Sequence, residues 1–452
     1  MNSLVKNLGS PINWSNATRV ERDTAISRPA LTQSAELSRK VSEIIETVKR
    51  KGDSALRDYS RQFDGIEIEN FRITENEVRD AYKALSPLDL AAMKEGIERI
   101  EAFHRAQLPL PLRVETAPGV VCERIYRPVG RVGLYIPGGT APLPSTVFML
   151  GVPSKVAGCP VRVLVTPPGK NGGKIEPAIL VAADLLGIKD IFRAGGAQAI
   201  AALAYGTESI PKVDKIFGPG NSWVTEAKIQ VSQDVFGAAN DLPAGPSEVL
   251  VIGDDGADTS FIASDLLSQA EHGEDSQVVF ISTSEDLING VEREIGLQLV
   301  ELPRQEIARA ALRNSRCILV KNLDEAGEVS NAYAPEHLIL QVRNPRELLK
   351  QIENAGSIFL GAYSPESVGD YASGTNHVLP TYGFARTWSG VTTESFLKSI
   401  SVQELTVEGL QAIGPGVERL AELEGLRAHR NAVSIRLRAL SEKNTDAGRD
   451  RG

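Results

Sequence analysis

The chain has 452 residues, 42% of them hydrophobic and 24% charged, which is ordinary for a globular protein and too long for one compact core. A formal net charge of −9 excludes the basic face that a nucleic acid or an anionic membrane demands, and no apolar run nears the roughly 20 residues of a membrane span. Cys122, Cys159 and Cys317 cannot all pair with one another, none lies in a CxxC motif, and the N-terminus lacks a signal peptide's apolar core, so a reduced cytoplasm is expected.

Residues 1–25 read as an N-terminal arm. Helices are expected over 34–52 and 76–108; in the first, Leu37, Val41, Ile44, Ile45 and Val48 recur at three and four. His104 falls in the second and is given no role. From Val120 onward, β-rich runs alternate with helical segments: VGLYIP, VRVLVTPP, IFRAG and KIFG, then EVLVIG, SQVVFIS, RCILV, HLILQV and GSIFLG. That alternation predicts α/β units around mostly parallel sheets. DLPAGPSE at 241–248 sets two prolines and a glycine between strand patterns, a place for the chain to cross between lobes. From about Val391 there are helix patterns and no convincing strand; that segment is too small for its own core and is expected to pack on another surface, such as a second subunit. The closing SEKNTDAGRDRG reads as a disordered tail.

No GxGxxG follows any strand, so the usual dinucleotide fingerprint is absent. In its place FGPGNSWVTEAKIQV (217–231) puts glycines between a strand and a helix, an anion-receptive N-terminus. AGGAQAIAALAYG (194–206) repeats that layout, and LYIPGGTAPLPS (134–145) is a glycine- and proline-rich loop after a strand. Each alone is also an ordinary tight turn; three on neighbouring strand ends suggest a nucleotide cleft.

Four polar clusters lie further on. In DTSFIASDLLSQAEHG (258–273), Asp258 or Thr259 can cap a helix whose last turn carries Gln269 and His272 on one face, at the dipole end that favours a cation. On this segment alone the favoured reading is a histidine that merely meets free carbonyls at the helix end. In NAYAPEHLIL, Glu336 and His337 stand just before an apolar strand, placed for proton transfer. The loop-like SPESVGDYASGTNHVLPT carries Asp370, Asn376 and His377. In LAELEGLRAHRNAV, Glu424 and His429 could share a site only if the helix breaks between them, for which Gly425 is the natural place. His272, Asp370 and His429 supply imidazole and carboxylate donors for a composite metal site, although spacing this wide is no signature. The cysteines sit in or beside strand-like runs and read as buried thiols rather than nucleophiles.

Taken together, VGLYIPGG, GGAQAIAALAYGT, FGPGNSWVTEAK, DLPAGPSEVLVI, DLLSQAEHGEDSQV, NAYAPEHL, GDYASGTNHVLPT, SVQELTVEGL and EGLRAHRNAV resemble histidinol dehydrogenase, in that family's order from about 120 to 435. TYGFARTWSG and VTTESF, near 382–396, are looser. The resemblance implies a zinc- and NAD-dependent oxidation of L-histidinol to L-histidine through L-histidinaldehyde, the last step of histidine biosynthesis. It assigns metal ligation, one Zn2+ per subunit, to Gln269, His272, Asp370 and His429, and acid/base work to Glu336 and His337. Ser247, His377 and Glu424 would contact substrate along with His337 and the metal ligands, and Tyr135, Gln198 and Asn221 would contact NAD+. The implied fold has two incomplete Rossmann-like lobes of the aldehyde-dehydrogenase kind: residues 26–133 with 248–391 carrying the metal and acid/base residues, and 134–247 binding NAD+. A helical extension, 392–440, ahead of the tail at 441–452, would cross to the partner of a homodimer with shared active sites. A related dehydrogenase for another polar alcohol is expected to alter Ser247, His377 or Glu424, and a non-catalytic scaffold would have no need of Glu336 and His337.

Overall fold

A computed structural model describes residues 7–28, 35–138, 143–169, 172–243 and 245–449, with side chains up to Glu442. The chain forms two units, one from the residues up to 108 together with 129–396, the other from 109–128 together with 397 onward.

Strand β1 (Ile12–Asn13) lies in the first unit, and β2 (Leu112–Ala117) and β3 (Val120–Pro128) in the second. Strands β4 (Arg131–Tyr135), β5 (Val161–Thr166), β6 (Asp190–Arg193), β7 (Lys215–Phe217) and β8 (Ala239–Asn240) make a five-stranded sheet in the order β6-β5-β4-β7-β8. Strands β9 (Glu248–Gly253), β10 (Gln277–Ser282), β11 (Arg316–Leu319), β12 (His337–Gln341) and β13 (Ser357–Leu360) join β1 in the order β1-β11-β10-β9-β12-β13. Every pairing in these two sheets is parallel. In each sheet the first long strand lies inside and the order reverses beside it, at β4/β7 and at β9/β12, the doubly wound pattern that puts helices on both faces. Strands covered on both faces bury every side chain, as β9 and β10 do, and so read as continuous apolar runs. The chain passes from one sheet to the other between β8 and β9, within the segment 241–248.

Two local expectations are corrected. Residues 76–108 are not one helix but two, Glu75–Ala84 and Pro87–Ala106, because Ser86 caps the second and Pro87 starts it. The stripe from Leu37 to Val48 is buried as expected, but it packs with Val163, Phe192 and Ala197–Ala204 of the five-stranded sheet's side, not with the lobe to which 26–133 was assigned. His104 is a core histidine, fully buried, with Nδ1 3.0 Å from Gln107 Oε1 and Nε2 3.3 Å from Asn376 Nδ2.

In the second unit, β14 (Leu397–Leu405) pairs antiparallel with β3, and β3 with β2. The segment beyond Val391 therefore contains a nine-residue strand where only helix was expected. Two helices follow, Val407–Leu423 and Arg427–Arg449, the second running through most of the expected disordered tail; residues 450–452 lie outside the described residues. Gly425, at φ 73°, breaks the helix between Glu424 and His429 as its left-handed backbone allows. Leu112, Ile400, Val417, Leu420, Leu423 and Ile435 of this unit are exposed.

Candidate active site

The helix Thr259–Ala270 is capped by Asp258, whose Oδ1 accepts the Ser260 and Phe261 N–H groups. It ends earlier than the sequence suggests, so His272 lies past the Glu271 cap rather than in the last turn. The two side chains still meet, with Gln269 Nε2 3.2 Å from His272 Nδ1. Gln269 is fully buried, and its Oε1 has no hydrogen-bond partner. Residues 366–371, read as loop, form a short helix that places Glu366 and Asp370 one turn apart. Ligand atoms of His272, Glu366 and Asp370 lie within 4.8 Å of one another. Burial pushes the Asp370 carboxyl up to about 7 and that of Glu366 well above the carboxylate range. Closely placed buried carboxyls beside an imidazole cost free energy as bare charges, and a divalent cation offsets that cost. One nitrogen donor, carboxylate oxygens and the unpartnered amide oxygen of Gln269 suit a first-row ion such as zinc.

Glu336 and His337 are delivered by the turn after the helix Leu323–Tyr333. Ala334 takes the left-handed conformation, Pro335 follows, and β12 begins at His337. Both side chains are buried at the start of β12, beside the start of β9. His337 Nδ1 lies 3.1 Å from the Glu248 carbonyl oxygen, which can only accept, so Nδ1 carries the proton and Nε2 is the bare nitrogen. Nε2 is buried without a partner, and burial lowers the imidazole to about 3, keeping it neutral near pH 7. Glu336 Oε2 accepts the Glu248 N–H at 2.9 Å; burial raises its carboxyl well above the usual range, that N–H pulls the other way, and Glu248 and Asp370 raise it further. A carboxyl tuned upward is suited to proton transfer near neutrality, and the neutral imidazole presents Nε2 unprotonated.

A cavity of about 500 Å³ opens onto these groups. Its walls include Ser247, His272, Glu336, His337, Asp370 and His377 from the six-stranded side, and Gly218, Asn221 and Lys228 from the five-stranded side. His377 Nε2 is 3.2 Å from Ser145 Oγ, and burial lowers its imidazole to about 4. Asn221 caps the helix Ser222–Gln233 through Oδ1. Tyr135 and Gln198 are each 4% exposed and are not among the cavity's lining residues; Tyr135 Oη accepts the Gly196 N–H at 3.2 Å. Of the loop 134–145, residues 139–142 lie outside the described residues. Glu424 and His429 belong to the second unit, where both are exposed.

The residues that hold this cavity's walls carry little signal in the sequence. Lys228 Nζ donates to the Gly218 carbonyl at 2.8 Å and pairs with Asp241 Oδ1 at 2.5 Å, while the Gly218 N–H donates to Asp241 Oδ2 at 2.7 Å. Gly218 is required here: a Cβ would stand 2.1 Å from the Tyr135 carbonyl oxygen. The one available signal was a lysine on an otherwise apolar helix face. Glu248, Glu366 and Arg28 carry little signal as well. Cys159 and Cys317 are buried, Cys122 is half-buried, and none lines the cavity. Burial pushes the Cys159 thiol to about 11, against a nucleophilic role.

A profile of the histidinol dehydrogenase family matches residues 27–437. A histidinol dehydrogenase of Xanthomonas euvesicatoria pv. vesicatoria is 54% identical over 426 residues, covering 94% of this chain and 98% of that protein. One of Yersinia pestis is 51% identical over 444 residues, covering 98% and 99%. The crystal structure of histidinol dehydrogenase from Elizabethkingia anophelis superposes with a TM-score of 0.91 at 47% identity, covering 95% of this chain and 98% of that one.

Proposed function

The chain belongs to the histidinol dehydrogenase family, and from that membership we propose that it oxidises L-histidinol to L-histidine through L-histidinaldehyde, reducing two NAD+. The observation that carries the chemistry is the buried Glu336–His337 pair, which lines a cavity shared with His272, Asp370 and His377 and leaves His337 Nε2 without a hydrogen-bond partner.

Gln269, His272 and Asp370 would hold zinc, with Glu366 beside them, and a partner subunit's copy of the second unit would add His429 and Glu424. The exposed leucines and isoleucines of that unit support a homodimer, since a monomer rarely leaves so many uncovered. Zinc supplies Lewis-acid polarisation and a fixed point for the amine and imidazole nitrogens of the substrate. NAD+, taking hydride in each step, would lie along the Gly218–Asn221 turn, with Tyr135 at the end of β4 and Gln198 on the helix Gly196–Tyr205 of the same side.

His337 Nε2 accepts the alcohol proton in the first step, and its Nδ1–H stays on the Glu248 carbonyl throughout. Glu336 then takes a proton from the water that adds to the aldehyde, so that the second oxidation gives the acid. Ser247 and His377 line the substrate's side of the cavity, and Glu424 suits its ammonium or imidazole N–H as a charge-assisted partner. Among the described residues no helix is long and apolar enough to cross a membrane, and three cysteines outside any disulfide fit a cytoplasmic enzyme.

The direct test is NADH formation from L-histidinol with the purified protein, compared with simple diols. No reduction of NAD+ by histidinol sinks the reading. Metal removal by a chelator should abolish turnover, and zinc should restore it.

A further inference from the structure

Both residues of the acid/base pair rest on one other residue, Glu248. Its N–H donates to Glu336 Oε2 at 2.9 Å, its side-chain Oε1 accepts the Glu336 N–H at 3.3 Å, and its carbonyl accepts from His337 Nδ1 at 3.1 Å. The Glu248 carboxylate is in turn held in a fork by Arg28, Nε to Oε2 at 2.6 Å and Nη2 to Oε1 at 2.7 Å. The same Nη2 reaches the carbonyls of Tyr333 at 2.8 Å and Ala334 at 3.3 Å, the two residues that turn the chain into Glu336. The guanidinium also lies 3.9 Å from the centre of the Tyr333 ring, whose hydroxyl is 3.2 Å from Glu248 Oε2 and 2.8 Å from Gln277 Oε1.

This ion pair is almost wholly removed from water, with 8% of the Arg28 side chain and 2% of the Glu248 side chain exposed. A pair so buried gains little net stability over apolar side chains of the same volume, because desolvation offsets the attraction. What it provides is geometry. The planar fork fixes the carboxylate in two directions, while the left-handed Ala334, at φ 55°, is a conformation a residue with a Cβ adopts only when its surroundings impose it.

We infer that Arg28 and Glu248 are positioning residues for the reaction, holding Glu336 and His337 as a unit through the 333–334 turn and the first residue of β9. The inference rests on the assignment of Glu336 and His337 as the acid/base pair. Because both bases hang from Glu248, disturbing it should slow both oxidations by the same factor, unlike any change confined to Glu336.

The test uses the zinc-loaded enzyme with L-histidinol and, separately, L-histidinaldehyde. Arg28→Ala is expected to lower kcat about 100-fold in both half-reactions, with KM for substrate and NAD+ within threefold of the unaltered enzyme. Millimolar guanidinium should restore at least tenfold of the loss. If Arg28→Ala is insoluble, the nearly isosteric Glu248→Gln carries the same expectation of an equal loss in both steps. Unchanged kcat in Glu248→Gln, a loss confined to one step, or a soluble Arg28→Ala that guanidinium does not improve would overturn the inference. An unaltered enzyme that does not oxidise histidinol would instead overturn the functional reading beneath it.

Discussion

The cavity is reached from opposite ends of two similarly wound sheets. On the five-stranded sheet it meets the carboxyl end of β7, where Gly218 and Asn221 lead into the N-terminus of the helix Ser222–Gln233. On the six-stranded sheet it meets the amino ends of β9 and β12, where Ser247, Glu336 and His337 lie and where the helix Thr259–Ala270 brings its C-terminal Gln269. The backbone dipoles therefore differ in sign across one space, positive where phosphates would lie and negative where a cation would. Buried Asp265, Glu336 and Glu366 and half-buried Asp370 belong to the six-stranded side, whereas Asp241 on the five-stranded side is paired with Lys228. One winding pattern can thus serve an anionic cofactor or a metal, according to which strand ends face the ligand.

This contrast is open to test from its strongest consequence down. His337→Asn should lower kcat by about 10³-fold, within the range for loss of a general base, with KM for NAD+ unchanged; a comparable rise in that KM would show that the two edges do not act separately. Glu336→Gln should cost L-histidinaldehyde oxidation about 10²-fold and L-histidinol oxidation less than tenfold, and equal losses in single-turnover measurements reject that division of labour. On the opposite edge, Gly218→Ala should weaken NADH binding about tenfold in a fluorescence titration while sparing zinc content, because its Cβ meets the Tyr135 carbonyl. The smallest effect concerns stability. Burial lifts Asp265 to about 6 from an ordinary 3.8, so the folded state retains a proton that the unfolded chain releases, and stability falls as pH rises through 6. Asp265→Asn should therefore stabilise the protein by up to about 3 kcal/mol at pH 7.5 and by almost nothing at pH 4. Equal stabilisation at both pH values would exclude this cause.

How far the sequence could be read depended on burial. The nine apolar runs named from it all became strands, because parallel strands covered on both faces leave an unbroken hydrophobic signature. β2 and β14 escaped notice because their side chains are mostly exposed and carry no such pattern. The helix break at Ser86 was hidden by Pro87, which suits a helix start as well as a gap. His272, Asp370, Glu336, His337 and His377 were legible as polar residues in apolar or glycine-rich settings, and they line one cavity. Arg28 and Glu248 were not, because each owes its role to a partner far along the chain, the two being 220 residues apart.

The two parallel sheets also differ in when they can form. All five strands of one lie between residues 131 and 240, so it can close as soon as that stretch has left the ribosome. The other pairs β1, at residues 12–13, with β11, at 316–319, and is not complete until β13 has been made. At synthesis rates of about 5–20 residues per second, the first sheet has roughly ten seconds to fold before its neighbour has all its strands. For most of that interval the N-terminal segment waits without its partner strand, so the six-stranded half is the later of the two to close.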